Sequence, residues 1–378
     1  MNLRVLRPFA FSGLMLVAAC ASASAGSVAT SPSSAAAQEP AGPMPDSPAP
    51  WLYVANQVSA TVSVIDMEAD SVIATVDLQA LGFTSNAKPH HVAVEPDGSY
   101  WYVSLIGDSR VLKFSRDNEL VGQAEFTAPG MLVIDPGSDR LFVGRSMMAV
   151  NPPQRIGRID RTSMTIEEVD VFFARPHALA VAYEGATVYS ASLAQNSIAT
   201  LDVESEDVEL SQVEGPPHTL VQFAVSPDGR WLVAGGELTS RMLVFAIGDD
   251  PVPEFRIAIE VGPAPWHPMF SPDGATLWFG NRLANTVTVV DTQTWTVASV
   301  IEGDGLAEPH GIAMSPDGAK VYVSSRNLKG EYVPEGAGAG AEQNGTVVVI
   351  DAVTRQIEKV IQVGRYAAGL GAAARPQS

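Results

Sequence analysis

One tight-turn motif recurs along this chain at intervals of 40 to 47 residues, and that spacing restricts the fold more than any other feature. It reads Glu95-Pro96-Asp97-Gly98, Asp135-Pro136-Gly137, Ala182-Tyr183-Glu184-Gly185, Ser226-Pro227-Asp228-Gly229, Ser271-Pro272-Asp273-Gly274 and Ser315-Pro316-Asp317-Gly318. Proline fixes φ, aspartate bonds its own backbone and glycine accepts positive φ, so each copy predicts a turn between two strands. An alternating run precedes each turn, as in Ile312-Ala313-Met314, and another follows, as in Trp101-Tyr102-Val103. A third run ends in aspartate at Asp66, Asp160, Asp202, Asp291 and Asp351, and a fourth completes the unit, as in residues 296–300. Four short strands per repeat predict an all-β fold, a β-propeller, and seven third strands predict seven blades. The aspartates that end third strands read as turn residues.

The ends predict how the ring closes. The body opens on a second strand, Trp51-Leu52-Tyr53-Val54, with no first strand before it. It finishes on Ala367-Ala368-Gly369-Leu370-Gly371, which supplies a first strand to the N-terminal blade and removes an open sheet edge. The propeller is expected to span residues 51–374.

Ahead of it, residues 1–19 read as an export signal, with Arg4 and Arg7 before a short apolar stretch. Val17-Ala18-Ala19-Cys20 resembles the bacterial lipobox, which implies a lipidated Cys20 and attachment to a membrane through it. With Ala21 after the cysteine, the resemblance implies an outer-membrane lipoprotein of the bacterial cell envelope. Residues 20–50 then read as a lipidated cysteine and a tether of Ala, Ser and Pro without a core-forming pattern. Cys20 is the only cysteine, so no internal disulfide forms and no second thiolate serves a site. Setting aside Arg4 and Arg7, 21 basic residues face 42 acidic ones, which argues against nucleic acid as a partner.

All six histidines fall at one place in the repeat: Pro89-His90-His91, Pro176-His177, Pro217-His218, Pro265-Trp266-His267 and Pro309-His310. Each group opens a predicted first strand, the strand that lines a propeller's channel. His218 lies three residues earlier than the common register. The pattern predicts a partial ring of imidazoles around one mouth of the channel, and imidazoles without carboxylates or thiolates suit copper first and zinc second. Two alternatives stay open: a water-filled channel with polar walls, and repeats that share histidines by descent. Adjacent strand residues point to opposite faces, so His90 and His91 cannot both face inward without a bulge. Arg145, Arg282 and Arg326 follow second strands and are expected on the same face, where they suit a small anionic ligand. Met131, Met147 and Met148 lie beside the blade that lacks histidine; packing is the favoured role for them.

Tyr53-Val54-Ala55-Asn56, Thr61-Val62-Ser63-Val64-Ile65-Asp66 and the Ser-Pro-Asp-Gly turns resemble the YVTN family of seven-bladed propellers, which includes YncE-like secreted proteins. That resemblance implies the fold; its members act as binders, lactonases and redox enzymes. The His-His pair followed by single histidines is similar to the copper centres of nitrous oxide reductase, thiocyanate dehydrogenase and selenium-binding proteins (methanethiol oxidases). It implies His90 and His91 as paired ligands and His177, His218, His267 and His310 as single ones. The expected function is a metal-binding envelope propeller, an oxidoreductase on a small anionic substrate if it is an enzyme. Alternatives are a non-enzymatic propeller that binds a peptide, glycan or envelope protein at the mouth, and a lactonase-like hydrolase.

Overall fold

The computed structural model describes residues 50–182, 185–248, 250–334 and 340–373. The export signal, Cys20 and the tether lie outside them, as do Tyr183 and Glu184 of the third turn. Among the described residues no helix is long and apolar enough to cross a membrane.

Seven four-stranded antiparallel sheets form the described body. Blade one runs from the inner strand Pro89–Val94 to the outer strand Leu120–Glu125, and blades two to six begin at Pro129, Pro176, Leu220, Pro265 and Pro309. Blade seven is composite: Ala367–Ala372 pairs antiparallel with Trp51–Asn56, with Leu52 opposite Ala372 and Asn56 opposite Ala367. The closure expected from the sequence is therefore the one observed.

Second strands are sandwiched between neighbouring sheets, so both of their faces are buried. Trp51–Asn56 and Thr187–Ser192 are buried at every residue, whereas an outer strand such as Thr296–Ile301 is mostly exposed. Between blades seven and one, Tyr53, Trp101 and Phe114 stack with centroids 4.7 and 4.2 Å apart. The turns behave as their residues dictate. In Ser271-Pro272-Asp273-Gly274 the Ser271 hydroxyl donates to Asp273 Oδ1 at 2.6 Å, the Ala275 N–H donates to the same oxygen at 3.0 Å, and Gly274 takes φ +71°. The third-strand aspartates cap their turns in the same way: Ser163 and Thr294 N–H groups donate to Asp160 and Asp291.

Two further regularities build the channel mouth. The residue before each inner strand is left-handed: Lys88, Ala128, Arg175, Thr219, Ala264, Glu308 and Tyr366 have φ between +48° and +59°. Its carbonyl accepts the N–H of the residue just after the second strand, which is Ile106, Ser146, Leu193, Glu237, Arg282, Arg326 and Gln57 in turn. Each inner strand also carries a register shift against its second strand, for example between Pro89 and Val92 and between Trp266 and Met269. A shift of this kind leaves residues outside the ladder and re-aims their side chains. In blades one, three, five and six the residues left out include His90, His91, His177, His267 and His310.

Candidate functional site

Five of the six histidines meet at the axis. His90 lies with its ring centroid 6.4 Å from His177 and 5.5 Å from His310; His267 is 4.9 Å from His310 and 6.0 Å from His91. These rings come from blades one, three, five and six. The shift between Pro89 and Val92 turns both His90 and His91 toward the group, the bulge that the adjacent pair requires. His267 itself adopts φ +47°, an uncommon conformation for a residue with a Cβ and one that clusters at functional sites. His218 stands apart. It lies two residues before its inner strand, with Nδ1 2.8 Å from Thr239 Oγ1 and Nε2 3.3 Å from the Glu214 carbonyl, and no ring contact joins it to the other five among the described residues. Blade two offers Gly130, where a Cβ would come within 2.9 Å of the Arg145 backbone, so no histidine fits there. Met131, next along, is fully buried in the interblade core, and its thioether packs.

Hydrogen bonds sort the rings. The Arg145 carbonyl can only accept, so His177 donates to it from Nδ1 at 2.6 Å and keeps a lone pair on Nε2. His91 is the reverse: its Nδ1 accepts the Leu132 N–H at 3.3 Å, so the proton of the neutral ring sits on Nε2. Leu132 lies just past the shift of blade two, and His91 satisfies an amide that the ladder leaves free. Gln222 does the same job on blade four, accepting the Leu179 N–H at 3.1 Å. His90 meets the Gln57 amide at 3.2 Å through Nδ1, a partner that suits either tautomer because the amide presents a donor and an acceptor. The remaining nitrogen of His90, Nε2, is buried without a partner, as is Nδ1 of His310.

All five rings are neutral at ordinary pH. Burial is the main cause, and it holds His91 down to about 3 and His177 to about 4. His90, His267 and His310 lie well below 6.5 for the same reason, helped by their neighbouring imidazoles and, for His90 and His310, by Arg326. Neutral imidazoles are the form that binds metal ions. Among the described residues, however, no three His, Cys, Asp or Glu side chains stand ready-gathered to hold an ion.

Around the histidines runs the ring of residues that follow second strands. Arg282 stacks on Trp266 at 4.7 Å and pairs with Glu237 at 2.7 Å. Arg326 stacks on Tyr366 at 4.6 Å. Trp266 in turn packs 4.8 Å from His310, and Tyr366 packs 6.4 Å from it. Arg145 departs from its expected place. It is the last residue of its second strand, and the counterpart of Arg282 and Arg326 is Ser146. One residue along a strand reverses the side chain. Arg145 accordingly lies buried over Phe126 at 3.6 Å, bonded to the Thr127 and Arg155 carbonyls and paired with Glu168 at 2.8 Å. Its charge is fully engaged there. Trp266, Tyr366 and Gln57 were not assigned to the mouth from sequence, although Trp266 occupies the histidine position of its blade. Glu308, directly before Pro309-His310, adds a buried carboxylate that accepts the Leu328 N–H at 3.1 Å.

The fold and the mouth define the class, a seven-bladed propeller with an axial histidine cluster. No protein-family model and no curated protein matches the chain. Solved structures do. The periplasmic gluconolactonase of Pseudomonas aeruginosa is 18% identical, with a TM-score of 0.64 over 86% of this chain and 99% of that one. A candidate 6-phosphogluconolactonase from Bacteroides uniformis is 13% identical, with a TM-score of 0.64 over 85% and 99%. A protein of unknown function from Desulfotomaculum acetoxidans reaches a TM-score of 0.67 at 12% identity over 86% and 99%. At these identities the likeness establishes the propeller fold.

Proposed function

We propose that this chain is a YVTN-like envelope propeller whose channel mouth takes up a transition metal ion, copper first and zinc second. The observation that carries this reading is the pair of buried, unpartnered imidazole nitrogens, His90 Nε2 and His310 Nδ1, among five neutral rings. Rings on one tetrahedral ion have centroids roughly 5 Å apart, given metal–nitrogen bonds near 2 Å. The separations of His310 from His267 and His90, 4.9 and 5.5 Å, fit that spacing after ring rotation. His90, His267 and His310 would hold the ion, with His177 Nε2 as a fourth donor. His91, whose Nδ1 serves the Leu132 amide, and His218, bonded on both nitrogens, are left out of this set. The donor set lacks thiolate and carboxylate, which favours copper or zinc over magnesium or calcium. A bound copper would supply one-electron chemistry, and an oxidoreductase acting on a small molecule is the activity this reading implies. A lipid anchor at Cys20 would hold the protein at the outer membrane.

The test is metal analysis and copper titration of the full chain against a His90→Ala/His310→Ala variant. One equivalent of metal in the parent and none in the variant is the expected result. A parent chain that takes up no stoichiometric metal sinks the proposal.

A second reading, lactone hydrolysis, draws on the names of two similar structures. It requires a carboxylate free to activate water, and the mouth offers Glu237, paired with Arg282, and Glu308, bonded to the Leu328 N–H. Turnover of gluconolactone that Glu308→Gln abolishes would favour it over the metal reading.

A further inference from the structure

Five of the buried polar atoms that lack a partner gather at this one mouth. Besides His90 Nε2 and His310 Nδ1 they are Trp266 Nε1, Arg282 Nε and Arg326 Nε. The last three are N–H groups that can only donate. Geometry puts them around His310: Trp266 touches its ring, Arg282 lies over Trp266, and Arg326 lies over Tyr366, which packs against the same ring. Both arginines act electrostatically on Tyr366, so their charges share one neighbourhood. Arg282 is balanced by Glu237. No ion pair joins Arg326 to a carboxylate among the described residues, although the buried carboxylate of Glu308 acts on Tyr366 alongside both arginines. Buried donors left without acceptors are costly.

We propose that Trp266, Arg282 and Arg326 form a binding site for a small planar carboxylate, seated beside His310. Three unpartnered donors around His310 call for an acceptor, and two guanidinium groups among them favour an anionic one. In Arg326 the unpartnered Nε forms, with a terminal nitrogen, the edge that grips a carboxylate by two parallel hydrogen bonds; in Arg282, whose Nη2 is taken by Glu237, Nε is a single further donor. Stacking on Trp266 and Tyr366 fixes both guanidinium planes in advance, so little side-chain freedom is lost on binding. The indole N–H supplies a third, neutral donor that a rounder or larger anion would not meet at the same time. The site uses the mouth described above but does not depend on a bound metal.

Formate is the probe. Calorimetric titration of the full chain, stripped of metal with EDTA, is expected to show one formate per chain, with chloride binding more weakly. Arg326→Gln should weaken formate by about tenfold or more, the loss of a charge-assisted bidentate pair. Trp266→Phe, which keeps the ring and loses the N–H, should weaken it several-fold. Thermal melts of both variants report whether the fold is intact, and the conservative Arg326→Lys should recover part of the affinity through its charge. No saturable formate binding by the parent, or equal binding by a folded Arg326→Gln, overturns the proposal and leaves water as the partner of these donors. The metal reading fails separately: a chain that binds formate but takes no copper refutes the metal site alone, and one that loads copper but ignores formate refutes the carboxylate site alone.

Discussion

The two ends of the channel are built from the same inner strands, yet they handle polar groups in opposite ways. At the far end the Ser-Pro-Asp-Gly turns border a cavity of about 1160 Å³ whose walls include Met269, Phe270, Met314, Trp231 and Leu370. Its aspartates are satisfied inside their own turns: Asp228, Asp273 and Asp317 each accept a serine hydroxyl and a backbone N–H. At the histidine end, buried polar atoms from different blades, His90 Nε2 and His310 Nδ1 among them, are left without partners. Local sequence closes the first set of hydrogen bonds, and only the assembled ring could close the second. A surface whose polar groups are complete needs no ligand, whereas one whose groups are incomplete is poised for a ligand.

Acid should separate the two ends most sharply. The histidines are held below 6.5 by burial, so unfolding lets them take up protons that the native state refuses. Stability of the metal-free chain is therefore full above pH 6.5 and falls as the pH drops toward 4, by up to about 1.4 kcal/mol per pH unit for each such ring. The turn aspartates have linkage of the same sign in a lower pH window. Hydrogen bonds to their carboxylates hold Asp273 below 3.8, so their contribution survives to that pH and is lost only beneath it. Urea unfolding between pH 7 and pH 4 checks this, and a His90→Ala/His310→Ala variant should show a shallower slope. An unchanged slope would mean that the rings already protonate in the folded state.

Within the histidine end, the next contrast is between His91 and His310. Truncating His91 leaves the buried Leu132 N–H without an acceptor, a loss of about 1–3 kcal/mol. His310→Ala removes a ring whose Nδ1 has no partner, so it should destabilise the metal-free chain less while removing metal uptake. His91→Gln should restore most of the stability, because Gln222 already performs this task for Leu179. If His91→Ala and His310→Ala weaken the fold equally, the division between a structural and a ligand imidazole collapses.

That division marks where reading the sequence stops working. Turns and strand alternation are local, so Ser-Pro-Asp-Gly and the Trp51 and Ala367 ends were enough to predict seven blades and their closure. The meeting of His90, His177, His267 and His310 followed, because equivalent positions in a ring must face one axis. What failed were details that depend on register. Arg145 lies one residue short of the position shared by Arg282 and Arg326, and alternation along a strand turned that single step into a reversal. His218 precedes its strand by two residues and bonds Thr239 instead of joining the cluster. The shifts that turn His90 and His91 together have no residue signature, since they arise from pairing between strands. Trp266 shares the register position of His90, His177 and His310, but its stacking with Arg282, like that of Tyr366 with Arg326, is a contact that only the assembled ring shows.

The smallest effect tests the far end. Asp273→Ala removes the acceptor for the Ser271 hydroxyl, which can turn to the Thr276 carbonyl at 3.2 Å, and for the exposed Ala275 N–H, which water can reach. A cost of about 1 kcal/mol is expected, the usual net worth of such hydrogen bonds. The turn is held mainly by Pro272 and by Gly274 at positive φ, which the substitution leaves intact. Copper uptake and formate binding should both be unchanged, since every atom proposed for them lies at the other mouth. A loss of either in a folded Asp273→Ala chain would show that the two ends are coupled through the inner strand Pro265–Phe270, which runs from His267 to this turn. In that event the contrast between a closed and an open set of polar groups would describe one linked system instead of two independent ends.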